Sequence, residues 1–118
     1  MADQHASGEV RVVLGGLDLY VHEVLRLEPL DAEQLLQLRT TADQGDQHAR
    51  DQLVVRHLGL VVRAVQHRHP ARANLLDLLE TGNRALIQGI AECRTPDAGA
   101  WSSHLGDCVE SALDGVML

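Results

Sequence analysis

Leu53-Val54-Val55-Arg56-His57-Leu58-Gly59-Leu60-Val61-Val62-Arg63-Ala64-Val65 is the stretch that decides the fold. Within it Leu53, Val54, Leu58, Val61, Val62 and Val65 recur at the three- and four-residue intervals of one helical face. Asp46 stands ahead of the stretch as an N-cap, because its carboxylate can accept from the orphan amides of a first turn. Gly45 before it and Pro70 after it are the stops. A long helix is therefore expected here, and the neighbouring segments must supply the surfaces that cover it.

Working outward, Leu17, Tyr20, Val21, Val24 and Leu25 form an apolar stripe on a helix from Leu17 to about Arg26, ended by Pro29. Asp31-Ala32-Glu33-Gln34 has the form of a capping box, and Leu35, Leu36 and Leu38 are the expected buried side of the helix that follows. Beyond the central stretch, Asn74 is the expected N-cap of a fourth helix reaching about Cys93. Its apolar positions are Leu75, Leu78, Leu79, Leu86, Ile87 and Ile90, with Gly82 tolerated inside. Thr95 to Ala100 reads as a turn or loop, and Ser102 as the cap of a last helix through about Leu113. The pattern predicts an all-α fold, a compact bundle of about five helices over residues 17–118. Residues 1–16 form an N-terminal segment that is expected to be partly flexible, with 1–8 frayed.

Composition narrows the function. The 118 residues suffice for one domain, and 45% of them are hydrophobic, so the chain should fold rather than stay disordered. Tyr20 and Trp101 are the only aromatic rings of the Phe, Tyr and Trp class, so Leu, Val, Ile and Ala must build the core. The formal net charge of −7 opposes the neutralisation of phosphates that duplex binding requires. All ten basic residues are Arg, which suits carboxylates and protein interfaces as well as phosphate. Cys93 and Cys108 make no disulfide framework or zinc spacing, and no apolar run approaches the roughly 20 residues that span a bilayer. A soluble, reduced, cytoplasmic protein is expected, with no membrane partner.

Leu75-Leu76-Asp77-Leu78-Leu79-Glu80-Thr81-Gly82-Asn83, followed by Arg84-Ala85-Leu86-Ile87, resembles the D-L-I-Q-E-G-N-x-G-L signature in region 2 of sigma-70 family transcription initiation factors. Other pieces follow in the family's order. Leu19-Tyr20-Val21-His22-Glu23-Val24 with Arg26 resembles the Y-L-R-E-I-G-R element of region 1.2. Leu30-Asp31-Ala32-Glu33-Gln34 is similar to L-T-x-E-E, and Gly45-Asp46 with Ala49-Arg50 to G-D-x-x-A-R. The central stretch itself looks like N-L-R-L-V-V-x-I-A of region 2.1. The resemblance covers residues 17 to 113 and implies a sigma region 2-like helical domain.

The resemblance also implies a site. The positions that dock on the clamp helices of the RNA polymerase beta-prime subunit correspond here to Leu76, Asp77, Glu80, Thr81, Asn83 and Ile87. Leu76, Asp77 and Asn83 keep the family's residue and Ile87 stays apolar, whereas Glu80 and Thr81 depart from its Gln-Glu pair. A stripe of Leu, carboxylate and amide suits a helix-to-helix contact. The competing reading is that these residues only cap and pack the bundle.

The segment that should read DNA is stripped of its chemistry. In the family it carries rings and positive charge that stack on flipped-out bases. In the same register the base-flipping Tyr corresponds to His104, two adjacent Trp to Asp107 and Cys108, and the next Arg to Glu110. Cys93 takes a Phe position, Gly99 a Tyr position and Trp101 a Phe position, while Ser102 matches. Trp101 is expected as a core or loop anchor. Five acids and one Arg between residue 91 and the end repel a nucleic-acid backbone, so DNA binding should be weak or absent.

Remaining chemistry is thin. His67 and His69 point to different helix faces and make no zinc pair, so no metal or cofactor is expected. Cys108, His104 and Asp107 form a nucleophile set on paper, with His104 and Cys108 one turn apart, but no oxyanion element accompanies them. No enzyme is expected. The leading expectation is a non-catalytic transcription regulator that contacts the polymerase clamp or an anti-sigma-type protein. One subunit of a split sigma factor is the alternative. A third is a self-associating helical domain, a possible homodimer, with Val109, Leu113, Val116 and Leu118 as apolar surface.

Overall fold

The computed structural model describes residues 16–93 and 97–116, and these form five α-helices. They are α1 (Leu17–Arg26), α2 (Ala32–Asp43), α3 (Gln47–His67), α4 (Arg72–Glu92) and α5 (Ala98–Val116). No strand occurs among the described residues, so the all-helical bundle expected from the periodicity is the observed architecture. The expectations for residues 1–15, and for Thr95, Pro96 and Leu118, lie outside the described residues.

Local chemistry accounts for most boundaries. Asp31 accepts from the Gln34 amide at 2.8 Å while the Gln34 side chain accepts from the Asp31 amide at 3.1 Å, closing the capping box. Gly45 takes φ +97°, a left-handed conformation that ends α2 and would strain any other residue. Asp46 then accepts from the Ala49 amide at 3.1 Å and starts α3.

Two starts differ from expectation. Helix α4 begins at Arg72, with Ala71 as N-cap and no side-chain cap, so Asn74 lies inside the first turn. Extended backbone after Pro70 sets that start, and the Asn74 amide bonds to the Ala71 carbonyl instead. Helix α5 begins at Ala98, not near Ser102, because the Asp97 carboxylate accepts from the amides of Gly99 and Ala100. It continues to Val116, three residues past Leu113.

Helix α3 is the centre of the bundle and packs against each of the other four. Its Leu53, Val61, Val62 and Val65 are buried with Leu78, Leu79, Leu86 and Ile90 of α4 and Trp101, Leu105, Val109 and Leu113 of α5. Each such side chain taken fully from water stabilises the fold by about 1.5–3 kcal/mol. Leu35 and Ala42 of α2 and Leu17 and Val24 of α1 extend this core. Gly82 is a requirement rather than a tolerated defect: a Cβ there would meet Val61 Cγ1 at 2.6 Å. Its absence lets α3 and α4 approach closely.

Some apolar side chains point elsewhere than expected. Leu36 is 60% exposed and Leu25 sits at the edge of the bundle, because α1 and α2 each have a single covered side. Val109 and Leu113 are core, which removes most of the apolar surface expected near the C-terminus. Val116 alone of the described members of that set is exposed.

Candidate partner-binding face

Helix α4 divides its residues between two sides. Leu78, Leu79, Gly82, Leu86, Gly89 and Ile90 are buried, and they recur at helical intervals on the side covered by α3 and α5. Leu76, Glu80, Asn83 and Ile87 follow one another at steps of four, three and four, and so form one row along the edge of that covered side. Asp77 and Thr81 lie in the adjacent row. The helix thus brings all six expected contact positions onto one continuous strip.

Their environments differ. Asp77 and Glu80 are exposed and make no hydrogen bond or ion pair among the described residues. Ile87 is 50% exposed on a helix whose other large apolar residues are covered or half-covered. Thr81 is half-buried, and its hydroxyl lies 3.5 Å from the Arg84 guanidinium. Leu76 is half-buried against the core, so its body packs inward and one edge reaches solvent.

Asn83 is the exception. Its Nδ2 donates to the Tyr20 hydroxyl at 3.4 Å and its Oδ1 is buried without a partner among the described residues. This amide faces α1 and pins it to α4, so Asn83 is an internal contact. The Arg72–Asp18 ion pair at 3.3 Å ties the same two helices at the surface.

Beside the strip, the 68–71 turn, the start of α4 and Val116 enclose an open cleft of about 600 Å³. Asp77, Thr81 and Pro70 are among the residues that line it. His69 in that turn has φ 47°, a left-handed conformation unusual for a side chain with a Cβ.

The expected DNA-reading positions fall on α5 and are mostly turned to internal use. Trp101 is 1% exposed, edge-to-face with His57 (centroids 5.1 Å apart, planes at 82°) and beneath the Arg39 guanidinium at 4.8 Å. It is a core anchor, as its isolation in the sequence implied. Glu110 accepts from Arg68 at 2.7 Å, and Asp114 accepts from the same guanidinium at 2.6 Å. Arg68 also donates to the carbonyls of Ala64 and Glu110, joining the end of α3 to α5. Its hydrogen bonds to Asp114 and Glu110 hold this guanidinium more firmly protonated than usual. Gly99, His104 and Asp107 are exposed, whereas Cys108 is half-buried.

Cys108 Sγ lies 3.4 Å from His104 Nε2, a contact the one-turn spacing predicted. Burial is the main reason that the Cys108 thiol titrates above its ordinary value, and the charges of Cys93, Asp107 and Glu92 add to it. The sulfur therefore stays a thiol at neutral pH, the opposite of an activated nucleophile. Among the described residues no group of three or more His, Cys, Asp or Glu is placed to hold a metal ion, and no helix is long and apolar enough to cross a membrane.

Sequence reasoning missed Arg68, Arg39 and His57. Arg68 meets its carboxylates 42 and 46 residues away, so no local spacing announces the pairing. His57 stood in plain view within the central stretch, but a lone histidine in an apolar run carries no signal for the ring that covers it.

No protein-family model matches the chain, and no solved structure matches it. What the fold and the strip define by themselves is an all-helical domain whose fourth helix carries two unpaired carboxylates and one exposed large apolar side chain, Ile87.

Proposed function

We propose that this chain is a non-enzymatic transcription regulator, a sigma region 2-like module that binds the beta-prime clamp helices of RNA polymerase without melting promoter DNA. An anti-sigma-type protein is the alternative partner for the same face. The observation that carries the reading is the state of Asp77 and Glu80. Both stand exposed and unpaired on the strip that also carries the half-exposed Ile87, the strip to which the sequence resemblance assigns clamp docking. Unpaired charge next to exposed apolar surface is what a polar-rimmed protein contact uses.

The fate of the arginines supports the second half of the reading. Arg50 and Arg56 donate to backbone carbonyls, Arg39 covers Trp101, and Arg26, Arg68 and Arg72 pair with carboxylates. A phosphate-binding surface needs clustered basic groups without internal partners. The internal pairing of Glu110 and the burial of Trp101 likewise leave α5 without a stacking platform. A split-sigma subunit would need that platform restored by another chain. The burial of Val109 and Leu113 disfavours self-association through the C-terminal helix.

The test is binding of the purified chain to core RNA polymerase and to an isolated clamp-helix fragment. Saturable binding competed by a genuine sigma factor is expected, with no promoter opening. Absence of binding at tens of micromolar protein, on the order of a 5–7 kcal/mol ceiling, removes the polymerase as partner.

A further inference from the structure

His57 lies on the central helix α3, and its imidazole is held from two sides. Nδ1 is 2.6 Å from the Leu53 carbonyl, and because a carbonyl only accepts, Nδ1 carries the proton of the neutral ring. The ring itself meets Trp101 of α5 edge-to-face at 5.1 Å. Arg39 of α2 already lies 4.8 Å from the centre of the same indole. Three helices therefore converge on one ring, and one of the three groups can gain a charge near neutral pH.

We propose that the His57–Trp101–Arg39 stack is a proton-operated latch, in which protonation of His57 releases the first two turns of α5 from α2 and α3. The cost of burying a charge sets the direction. Arg39 of α2 lies over the same indole, and Asp43 of α2 and Arg50 of α3 line the narrow gap that Arg39 and Trp101 share. From α5 His57 meets the uncharged indole. Burial opposes the charged form of His57 and the hydrogen bond to the Leu53 carbonyl favours it, with burial the larger. An imidazolium here would be a second cation on an indole that already serves a guanidinium.

The release is local. Leu105, Val109 and Leu113 remain buried further along α5, and the Arg68 clasp to Glu110 and Asp114 holds its other end. The first turn has the Asp97 cap and the Trp101 anchor. Opening the stack thus leaves the rest of the helix docked.

Trp101 is the only tryptophan of the chain, so its emission reports the latch directly. In the unmodified protein, lowering the pH from 7.5 to 5 should shift that emission to the red with a midpoint below 6.5. Amide protection in the first turns of α5, corrected for intrinsic exchange, should fall about tenfold per pH unit across the transition. The far-ultraviolet helical signal should stay. His57→Phe keeps a ring against Trp101 but cannot gain a proton, so its emission should not respond. Titration of the histidine ring by nuclear magnetic resonance in the unmodified chain decides the matter even if His57→Phe fails to fold. A His57 titration at or above 6.5 overturns the latch, because Trp101 would then be stabilising the imidazolium. An emission that ignores pH in the unmodified protein, or a shift that persists in His57→Phe, overturns it equally.

Discussion

The outward strip of α4 and the length of α5 are built from similar ingredients and use them oppositely. Each helix buries a row of large apolar side chains, and each carries exposed acids. On α4 Asp77 and Glu80 are left without partners, whereas on α5 Glu110 and Asp114 both close on Arg68. The one large ring of α5, Trp101, is sealed under Arg39, while the apolar Ile87 of α4 stays half in water. The lesson concerns availability. A side chain serves a partner only where the fold leaves its charge or apolar area unmatched, and residue type alone does not say where that is.

The comparison breaks most easily at Trp101. Truncating it to Ala should cost about 3–5 kcal/mol in denaturant unfolding, the range for a buried ring with partial collapse around it. A loss below about 1 kcal/mol would mean that α5 does not use the ring as an anchor. On α4 the inner side is tested by Gly82→Ala. The added Cβ, 2.6 Å from Val61 Cγ1, should destabilise the chain by about 1–3 kcal/mol despite the better helix propensity of Ala. A more stable variant would show that α3 and α4 can separate freely.

Acid should separate the two helices further. Burial sets the native pKa of His57 below its ordinary 6.5, so the unfolded chain binds more protons between the two values. This group takes nothing from stability above pH 6.5, and stability falls progressively as pH drops from there to the native pKa. Urea unfolding at pH 7.5 and 5.5, with and without His57→Phe, isolates that contribution from those of the carboxylates.

Paired and unpaired acids give a finer contrast. Glu110→Ala should cost about 0.5–1 kcal/mol, since Glu110 is half exposed and the pair is partly screened. Glu80→Ala should change stability by less than about 0.5 kcal/mol. The smallest effect on folding belongs to Asp77→Arg, again within about 0.5 kcal/mol, yet this change should abolish binding to the clamp-helix fragment. Unchanged affinity with intact helicity would remove the proposed face.

Much of the architecture was legible in short patterns because short-range physics produces it. The capping box at Asp31, the left-handed Gly45 and the Asp46 cap involve groups three or four residues apart, and each occurs as the spacing predicts. The starts of α4 and α5 were less legible. Asn74 and Ser102 are good caps in isolation, but the chain after Pro70 and the Asp97 carboxylate had already started each helix upstream. Of the six strip positions, helical spacing alone puts all on neighbouring rows. Nothing in that spacing says that the Asn83 amide turns to Tyr20, 63 residues away.

Composition and periodicity by themselves determined a helical chain with a Leu and Val core, a surplus of acid and no Lys, because helix formation and burial depend on local repeat and side-chain type. Tertiary structure alone decided which charges are spent. Arg68 finds Glu110 and Asp114, and Arg39 and His57 find Trp101, through contacts between helices distant in sequence. Pairing energy depends on distance and burial, and both exist only after the helices have packed.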